Sequence, residues 1–163
     1  MKWWTKRIFS MLMAVICCVP LFLFYACESE EEGKEDKVQV FYDKVVESQQ
    51  CLDILADDIY SYWYDAIYKD KYGGDINTAI LYAQLDNSKN LEIIEANESE
   101  IQSLYKEIRD TDLSVEIKAV MSAYSDYYEF VVNVSGSFNS YSASKETLKK
   151  ELASALKDLA LEI

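Results

Sequence analysis

Apolar side chains recur every three, four or seven residues from Val38 to Ile163, and no proline occurs after Pro20. This period places the apolar residues on one face of each successive helix, and the lack of proline suits long helices. No segment alternates between apolar and polar residues for long enough to predict a strand. The predicted fold is therefore all-α, an up-and-down bundle of four to five amphipathic helices. The stripes consist of Val38, Phe41, Val45, Leu52, Leu55, Ile59, Trp63 and Ile67, then Ile76, Ile80 and Ala83, then Leu91, Ile94, Ile101, Leu104 and Ile108, then Leu113, Ile117, Val120, Tyr124, Tyr127 and Val131, and finally Leu148, Leu152, Ala155, Leu159 and Ile163.

Four polar segments separate these stripes and predict where the helices end. They are residues 72–75, 86–90, 111–112 and 133–144. Paired glycines in the first segment stop a helix, and Asp75 can cap the next one. The second predicts a kink or a break because its residues are mostly weak helix formers. The third supplies a cap, and the fourth predicts an extended loop in which Ser140, Ser142 and Ser144 are candidate caps of the last helix.

The N-terminal segment has the three parts of a secretory signal. A basic start precedes residues 8–26, which carry no charge, and Cys27 follows the small residue Ala26. A basic region, an apolar region and a small residue before the cut are typical of such signals. A cysteine directly after that small residue resembles the lipobox of bacterial lipoproteins. The resemblance implies that Cys27 is diacylated on its sulfur and that residues 1–26 are removed.

Two other interpretations of this segment stay open. Its apolar run is 19 residues long, which is enough to span a bilayer without cleavage. Phe24 and Tyr25 also depart from the Leu and the small residue that a lipobox usually has. An ordinary cleaved signal is the third interpretation, although no A-x-A-like site is present. All three place the rest of the chain outside the cytoplasm.

The predicted organisation therefore has three parts. Residues 1–26 form a lipoprotein signal peptide, residues 27–36 contain the lipidated cysteine and a disordered acidic tether, and residues 37–163 form the helical bundle domain. Residues 29–32 of the tether, Ser-Glu-Glu-Glu, resemble the acidic signal that directs some Gram-negative lipoproteins to the outer face. That resemblance implies a surface-exposed protein, and a plain solvated spacer is the alternative.

The charge balance limits the classes of partner. Residues 1–26 hold three of the 16 basic residues and none of the 29 acidic ones, so the rest of the chain carries a net charge of −16. This sign argues against nucleic-acid binding, which depends on basic residues, and it leaves membrane attachment to the lipid. A cationic partner fits this charge, although acidic surfaces also serve solubility. If the sulfur of Cys27 carries the lipid, Cys51 is the one free cysteine after the signal peptide. We expect Cys51 to be buried and inert.

The sequence contains no motif that specifies an enzyme or a metal site. It has no histidine, which excludes His-dependent nucleophilic sites and His-ligated metals. Its four glycines do not form a phosphate-binding loop. Acidic pairs such as Asp57 with Asp58, or Asp110 with Asp112, resemble hydrolase carboxylates, but a solvated acidic face explains them better. We expect no enzymatic activity, no cofactor and no metal.

Aromatic residues supply two candidate binding surfaces. In the first, six rings fall within thirteen residues around Trp63, and successive helical residues point about 100° apart, so these rings cannot all enter one core. Exposed Tyr and Trp are favoured at binding surfaces. The second is the Ser-rich loop, because loops often carry function. The candidate residues are Tyr60, Tyr62, Tyr64, Tyr68 and Tyr72 in the first, and Phe138 and Tyr141 in the second. The alternative is a structural role, with Trp63 in the core.

Three short segments also resemble a group of small, all-helical lipoproteins predicted from gut bacteria. They are residues 75–79 (Asp-Ile-Asn-Thr-Ala), 127–130 (Tyr-Tyr-Glu-Phe) and 135–138 (Ser-Gly-Ser-Phe), although Val134 replaces a proline that members often carry before the last segment. The group is functionally uncharacterised, so the resemblance implies a fold and an envelope location only.

Three hypotheses follow for function. The first is a non-enzymatic lipoprotein that binds a partner or ligand at the cell surface. The second is a protective or immunity-type protein that binds a cationic toxin or lysozyme. The third and most distant is a carboxylate-based glycan hydrolase.

Overall fold

The computed structural model describes the backbone of residues 3–163 and the side chains of residues 33–163. Over these residues the chain forms five α-helices and no β-strand, which confirms the predicted all-α fold. The helices are α1 (Trp3–Lys69), α2 (Ile76–Asp86), α3 (Ser88–Ile108), α4 (Ser114–Val132) and α5 (Phe138–Leu159), with a 3-10 turn at Lys71–Gly74 between α1 and α2. The chain divides into two compact units, Met1–Asp36 and Lys37–Ile163.

The first unit covers the predicted signal peptide and the predicted tether. The residues of the predicted signal peptide and Cys27 lie outside those whose side chains are described. In the part of the chain that the structure describes, no helix is long and apolar enough to cross a membrane. The helical backbone of α1 includes residues 33–36, where the sequence predicts a disordered tether. Glu and Lys are good helix formers, so this segment can continue a helix even though it buries nothing.

Within the second unit, pairs of polar side chains define the direction of α2 and α3 against α1. Residue numbers rise along α1 as they fall along the partner helices, so α1 runs antiparallel to both. The pairs are Lys37 with Glu107, Lys44 with Asn97, Asp58 with Asn87, and Tyr62 with Asp86. Helices α2 and α3 therefore form one column that is broken at Asn87, as the polar segment 86–90 predicts.

The remaining helices complete an up-and-down arrangement. Two aspartates of α1 pair with two lysines of α5 in antiparallel order, Asp53 with Lys149 and Asp57 with Lys145. Helices α4 and α5 pack against each other, and the short connection between them makes them antiparallel neighbours. The bundle thus has four columns, with the second column built from two helices.

The predicted apolar stripes form the core. Every stripe residue of α4 is buried except Leu113, which is half-buried beside the first turn. Three predicted core residues are instead exposed: Ile67, Ile76 and Ile163. Each lies at or near the end of a helix, where no neighbouring helix covers the stripe. Cys51 is buried as expected, and burial raises the pKa of its thiol.

The connection before α2 has a left-handed backbone. Asp70 and Tyr72 adopt φ values of 51° and 58°, a region that costs non-glycine residues about 1–2 kcal/mol each. The ring of Tyr72 lies between those of Tyr62 and Tyr82, with centroid distances of 5.3 and 5.6 Å. Two such ring pairs contribute about 1–3 kcal/mol together, enough to offset the strain at Tyr72. The predicted cap is confirmed, since Asp75 accepts a hydrogen bond from the backbone N–H of Asn77.

The loop before α5 is shorter than the sequence predicts. Helix α5 already begins at Phe138, so the extended loop predicted over residues 133–144 is wrong beyond Ser137. Its N-cap is Ser137, whose side chain accepts from the backbone of Ser140, while the hydroxyl of Ser140 accepts from the backbone N–H of Ser137. Gly136, at φ 90°, makes the turn into this capping box. The three serines predicted as caps therefore all lie inside α5. Ser140 takes part in the capping box from the first turn, and Ser142 and Ser144 follow it in the helix.

The predicted cap at residues 111–112 is also wrong. Leu113 occupies the N-cap position of α4, and no side chain caps that helix. The hydroxyl of Thr111 instead donates a 2.8 Å hydrogen bond to the carbonyl oxygen of Ile108. Thr111 therefore closes the end of α3 instead of opening α4.

Candidate functional site

The two predicted aromatic surfaces meet at one end of the bundle. The ring of Phe138, in the first turn of α5, stacks on Tyr60 of α1 with centroids 5.0 Å apart. Its other ring neighbours on α1 are Trp63, Tyr64 and Tyr68, at 6.0, 6.2 and 6.1 Å. We name these five residues the Phe138 cluster. The sequence predicts Tyr60, Tyr64 and Tyr68 on one candidate surface and Phe138 on another, because at least seventy residues separate Phe138 from these tyrosines in the chain.

Exposure differs widely within the Phe138 cluster. Trp63 is buried, as the structural alternative predicts, and Tyr60 and Phe138 are half-buried. Tyr68 is 61% exposed and Tyr64 is 39% exposed, and their rings contact each other at 4.6 Å. The outer surface of the cluster therefore consists of Tyr64 and Tyr68, supported from below by Phe138.

Three of the predicted surface residues do not belong to this surface. Tyr141 is 1% exposed and packs between Trp63 and Phe130, with centroids 5.5 and 4.6 Å away. Its phenol donates to the carbonyl oxygen of Ala56 at 3.4 Å, so Tyr141 is a core residue and its assignment to a binding surface is wrong. Tyr62 and Tyr72 belong to a separate group with Tyr82.

We name Tyr62, Tyr72 and Tyr82 the Tyr72 stack. Tyr62 lies about 200° around α1 from Tyr60, which places the stack on a different side of the helix from the Phe138 cluster. The hydroxyl of Tyr62 donates to the carboxylate of Asp86, and this hydrogen bond raises the pKa of Tyr62 to about 12. Because the stack holds the left-handed turn at Tyr72, a structural role accounts for it.

The ionic groups beside the Phe138 cluster are paired. Both carboxylate oxygens of Asp65 are bound, by Lys69 and Lys71, each at 2.6 Å, and these lysines hold the pKa of Asp65 below its ordinary value. Lys145 pairs with Asp57 and lies 4.9 Å from the centroid of the Tyr60 ring. Local charge is therefore nearly balanced, although the domain as a whole is strongly acidic.

The segment that carries Phe138 contains no charge at all. Residues 130–144 form the longest uncharged run within residues 37–163. Several of its polar side chains are exposed beside Phe138, namely Ser135, Ser137, Asn139 and Ser140. These hydroxyl and amide groups are neutral hydrogen-bonding partners. The Phe138 cluster thus has a neutral polar border on its α5 side, while Lys69 and Lys145, each paired with a carboxylate, lie over the rings of Tyr64 and Tyr60.

The two carboxylates of the Asp57 and Asp58 pair serve other contacts. Asp57 pairs with Lys145 of α5, whereas Asp58 accepts a 2.7 Å hydrogen bond from Asn87. Adjacent residues of a helix point in different directions, so these two carboxylates address different neighbours. Among the described residues, no group of three or more His, Cys, Asp or Glu residues is placed to hold a metal ion.

The grooves of the bundle are shallow. One, of about 350 Å³, lies between α4 and α5 and is lined by Phe130, Leu148, Ser144, Thr147, Ala143 and Glu151. Another, of about 470 Å³, is lined by residues of α1 alone, from Val40 to Gln50. Surface contact at the Phe138 cluster is therefore the better candidate for recognition than an enclosed pocket.

In comparisons with known proteins, no protein family, no curated protein and no solved structure matches this chain.

Proposed function

We propose that this protein is a non-enzymatic binding module, attached to a bacterial envelope through a lipid on Cys27, whose contact surface is the Phe138 cluster. The observation that carries the binding proposal is the exposure of Tyr68 and Tyr64 above the buried Trp63. Exposed aromatic groups on a rigid support are favoured for recognition, since they contribute large contact area and lose little side-chain entropy on binding.

The position of the cluster supports a role away from the membrane. The domain begins at Lys37, whereas Tyr64 and Tyr68 lie near the C-terminal end of α1. At 1.5 Å per residue, the helix between Lys37 and Tyr68 is about 46 Å long. A chain anchored on its N-terminal side would carry this surface at the far end of the domain, where an external partner can reach it.

The attachment is tested by replacing the lipidated cysteine. In cells, Cys27→Ala is expected to release the protein from the membrane fraction or to leave an unprocessed precursor, whereas Cys51→Ala should leave fractionation and electrophoretic migration unchanged. Unchanged fractionation and migration of the Cys27→Ala chain would contradict lipid attachment and support an uncleaved anchor.

The binding surface is tested by capture from native envelopes with the full chain as bait. Tyr64→Ala with Tyr68→Ala is expected to abolish capture, while Tyr82→Ala, a matched change in the Tyr72 stack, should retain it. Capture that survives the double variant but falls steeply with added salt would reject this surface. It would favour a cationic partner bound through the acidic face, because salt screens exposed charges within about 10 Å at 0.1 M.

A further inference from the structure

We infer that the Phe138 cluster binds a neutral saccharide, by stacking a sugar ring on Tyr68. This inference rests on the proposed binding function and names its ligand class. It starts from a contrast in charge: residues 37–163 belong to a strongly acidic chain, yet the surface around Phe138 is uncharged or internally paired. A surface built for a cationic partner would present unpaired carboxylates, whereas both oxygens of Asp65 are already bound.

The aromatic part of the surface matches the flat face of a sugar. Each aromatic ring has an electron-rich face, which attracts the weakly positive C–H groups on one side of a pyranose ring. Tyr68 offers the most exposed ring of the cluster, and Tyr64 adjoins it at 4.6 Å. Contact with Phe138 at 6.1 Å supports the Tyr68 ring, so little mobility is lost when a ligand stacks on it.

The polar part of the surface matches the rim of a sugar. Hydroxyl groups point outward around a pyranose ring and need both donors and acceptors. The exposed hydroxyl of Ser135 and the exposed amide of Asn139 supply both without a net charge, whereas the hydroxyls of Ser137 and Ser140 are engaged in the capping box. Serine and asparagine beside tyrosine make an adaptable hydrogen-bonding surface. An apolar membrane or an apolar helix would leave these polar groups without partners, which disfavours both as ligands.

The experiment exposes the detergent-solubilised full chain to a printed array of several hundred neutral and anionic glycans. The best neutral oligosaccharide is then titrated by calorimetry. We expect retention on neutral glycans and an affinity that changes less than twofold between 0.05 and 0.5 M NaCl. Tyr68→Ala should lower the affinity at least tenfold, whereas Tyr82→Ala should leave it within twofold. Circular dichroism checks that each variant is folded.

Retention of no glycan by the wild-type chain would overturn the saccharide assignment. So would equal losses from Tyr68→Ala and Tyr82→Ala, or preferential binding to anionic glycans. These outcomes are separate from failure of the proposed function. If no glycan binds but envelope capture of a protein still depends on Tyr64 and Tyr68, the binding module stands and its ligand is a protein.

Discussion

The phenol of Tyr127 donates a 2.8 Å hydrogen bond to Oδ1 of Asp53, which joins α4 to α1. The second oxygen of Asp53 is bound by Lys149 of α5 at 3.0 Å. One carboxylate therefore connects three helices. Burial of the phenol raises the pKa of Tyr127, and its hydrogen bond to the carboxylate of Asp53 raises that pKa further.

Two tyrosines of the same helix should respond differently to loss of the hydroxyl. Tyr127→Phe removes a hydrogen bond to a charged acceptor and is expected to lower the free energy of unfolding by about 1.5–3 kcal/mol. Tyr124 is equally buried, but its hydroxyl faces Ser48 and Glu98 without a hydrogen bond of good geometry to either. Tyr124→Phe should therefore cost clearly less than Tyr127→Phe. Urea denaturation measures both, and equal losses would contradict the assigned contact.

Core substitutions test the bundle itself. Ile117 and Leu152 are fully buried, so replacing either with Ala should cost about 2–5 kcal/mol of unfolding free energy. Val115, which is 72% exposed on the same helix as Ile117, provides the control, and Val115→Ala should change stability by less than about 0.5 kcal/mol. Thermal melts followed by circular dichroism at 222 nm give the comparison. A spectrum with substantial strand content would refute the fold.

Two serine substitutions test the residue at which α5 begins. Ser137→Ala removes the N-cap side chain and should destabilise the protein by about 1 kcal/mol. Ser142→Ala, within the helix, should be neutral or slightly stabilising because Ala is the better helix former. If the loop extended to residue 144, the ranking would reverse. Chemical denaturation of the two variants distinguishes the boundaries.

The cap of α2 should make stability depend on acid pH. Hydrogen bonds from Thr78 and the backbone of Asn77 lower the pKa of Asp75 below its ordinary value of 3.8. The folded state therefore binds this proton less readily than the unfolded state, so the contribution of Asp75 is present above pH 4 and is lost as the pH falls further. Comparing the melting temperatures of wild type and Asp75→Ala should show a difference at pH 6 that shrinks toward pH 3. A constant difference would contradict a role for the charge.

Apolar spacing alone determined much of the fold, because the position of a residue in the helical period decides on which face of the helix its side chain lies. The stripes of α3 and α4 and the break near Asn87 follow from the sequence in this way. The spacing failed at Ile67, Ile76 and Ile163 because periodicity identifies an apolar face without revealing whether another helix covers it. The N-cap at Ser137 was missed, and Thr111 was assigned to the wrong helix, for a related reason, since several neighbouring side chains can form the same local hydrogen bond.

The candidate site depended more on the tertiary structure. The sequence identified an excess of aromatic rings around Trp63 and two further rings at Phe138 and Tyr141, but spacing along a chain carries no information about contacts between distant segments. Packing α5 against α1 brought Phe138 onto Tyr60 and put Tyr141 in the core. Composition set the net charge of −16 after residue 26, whereas only the folded arrangement paired Asp65 and Asp57 with lysines and left a neutral aromatic surface between them, because Coulomb interactions depend on distances that the fold alone creates.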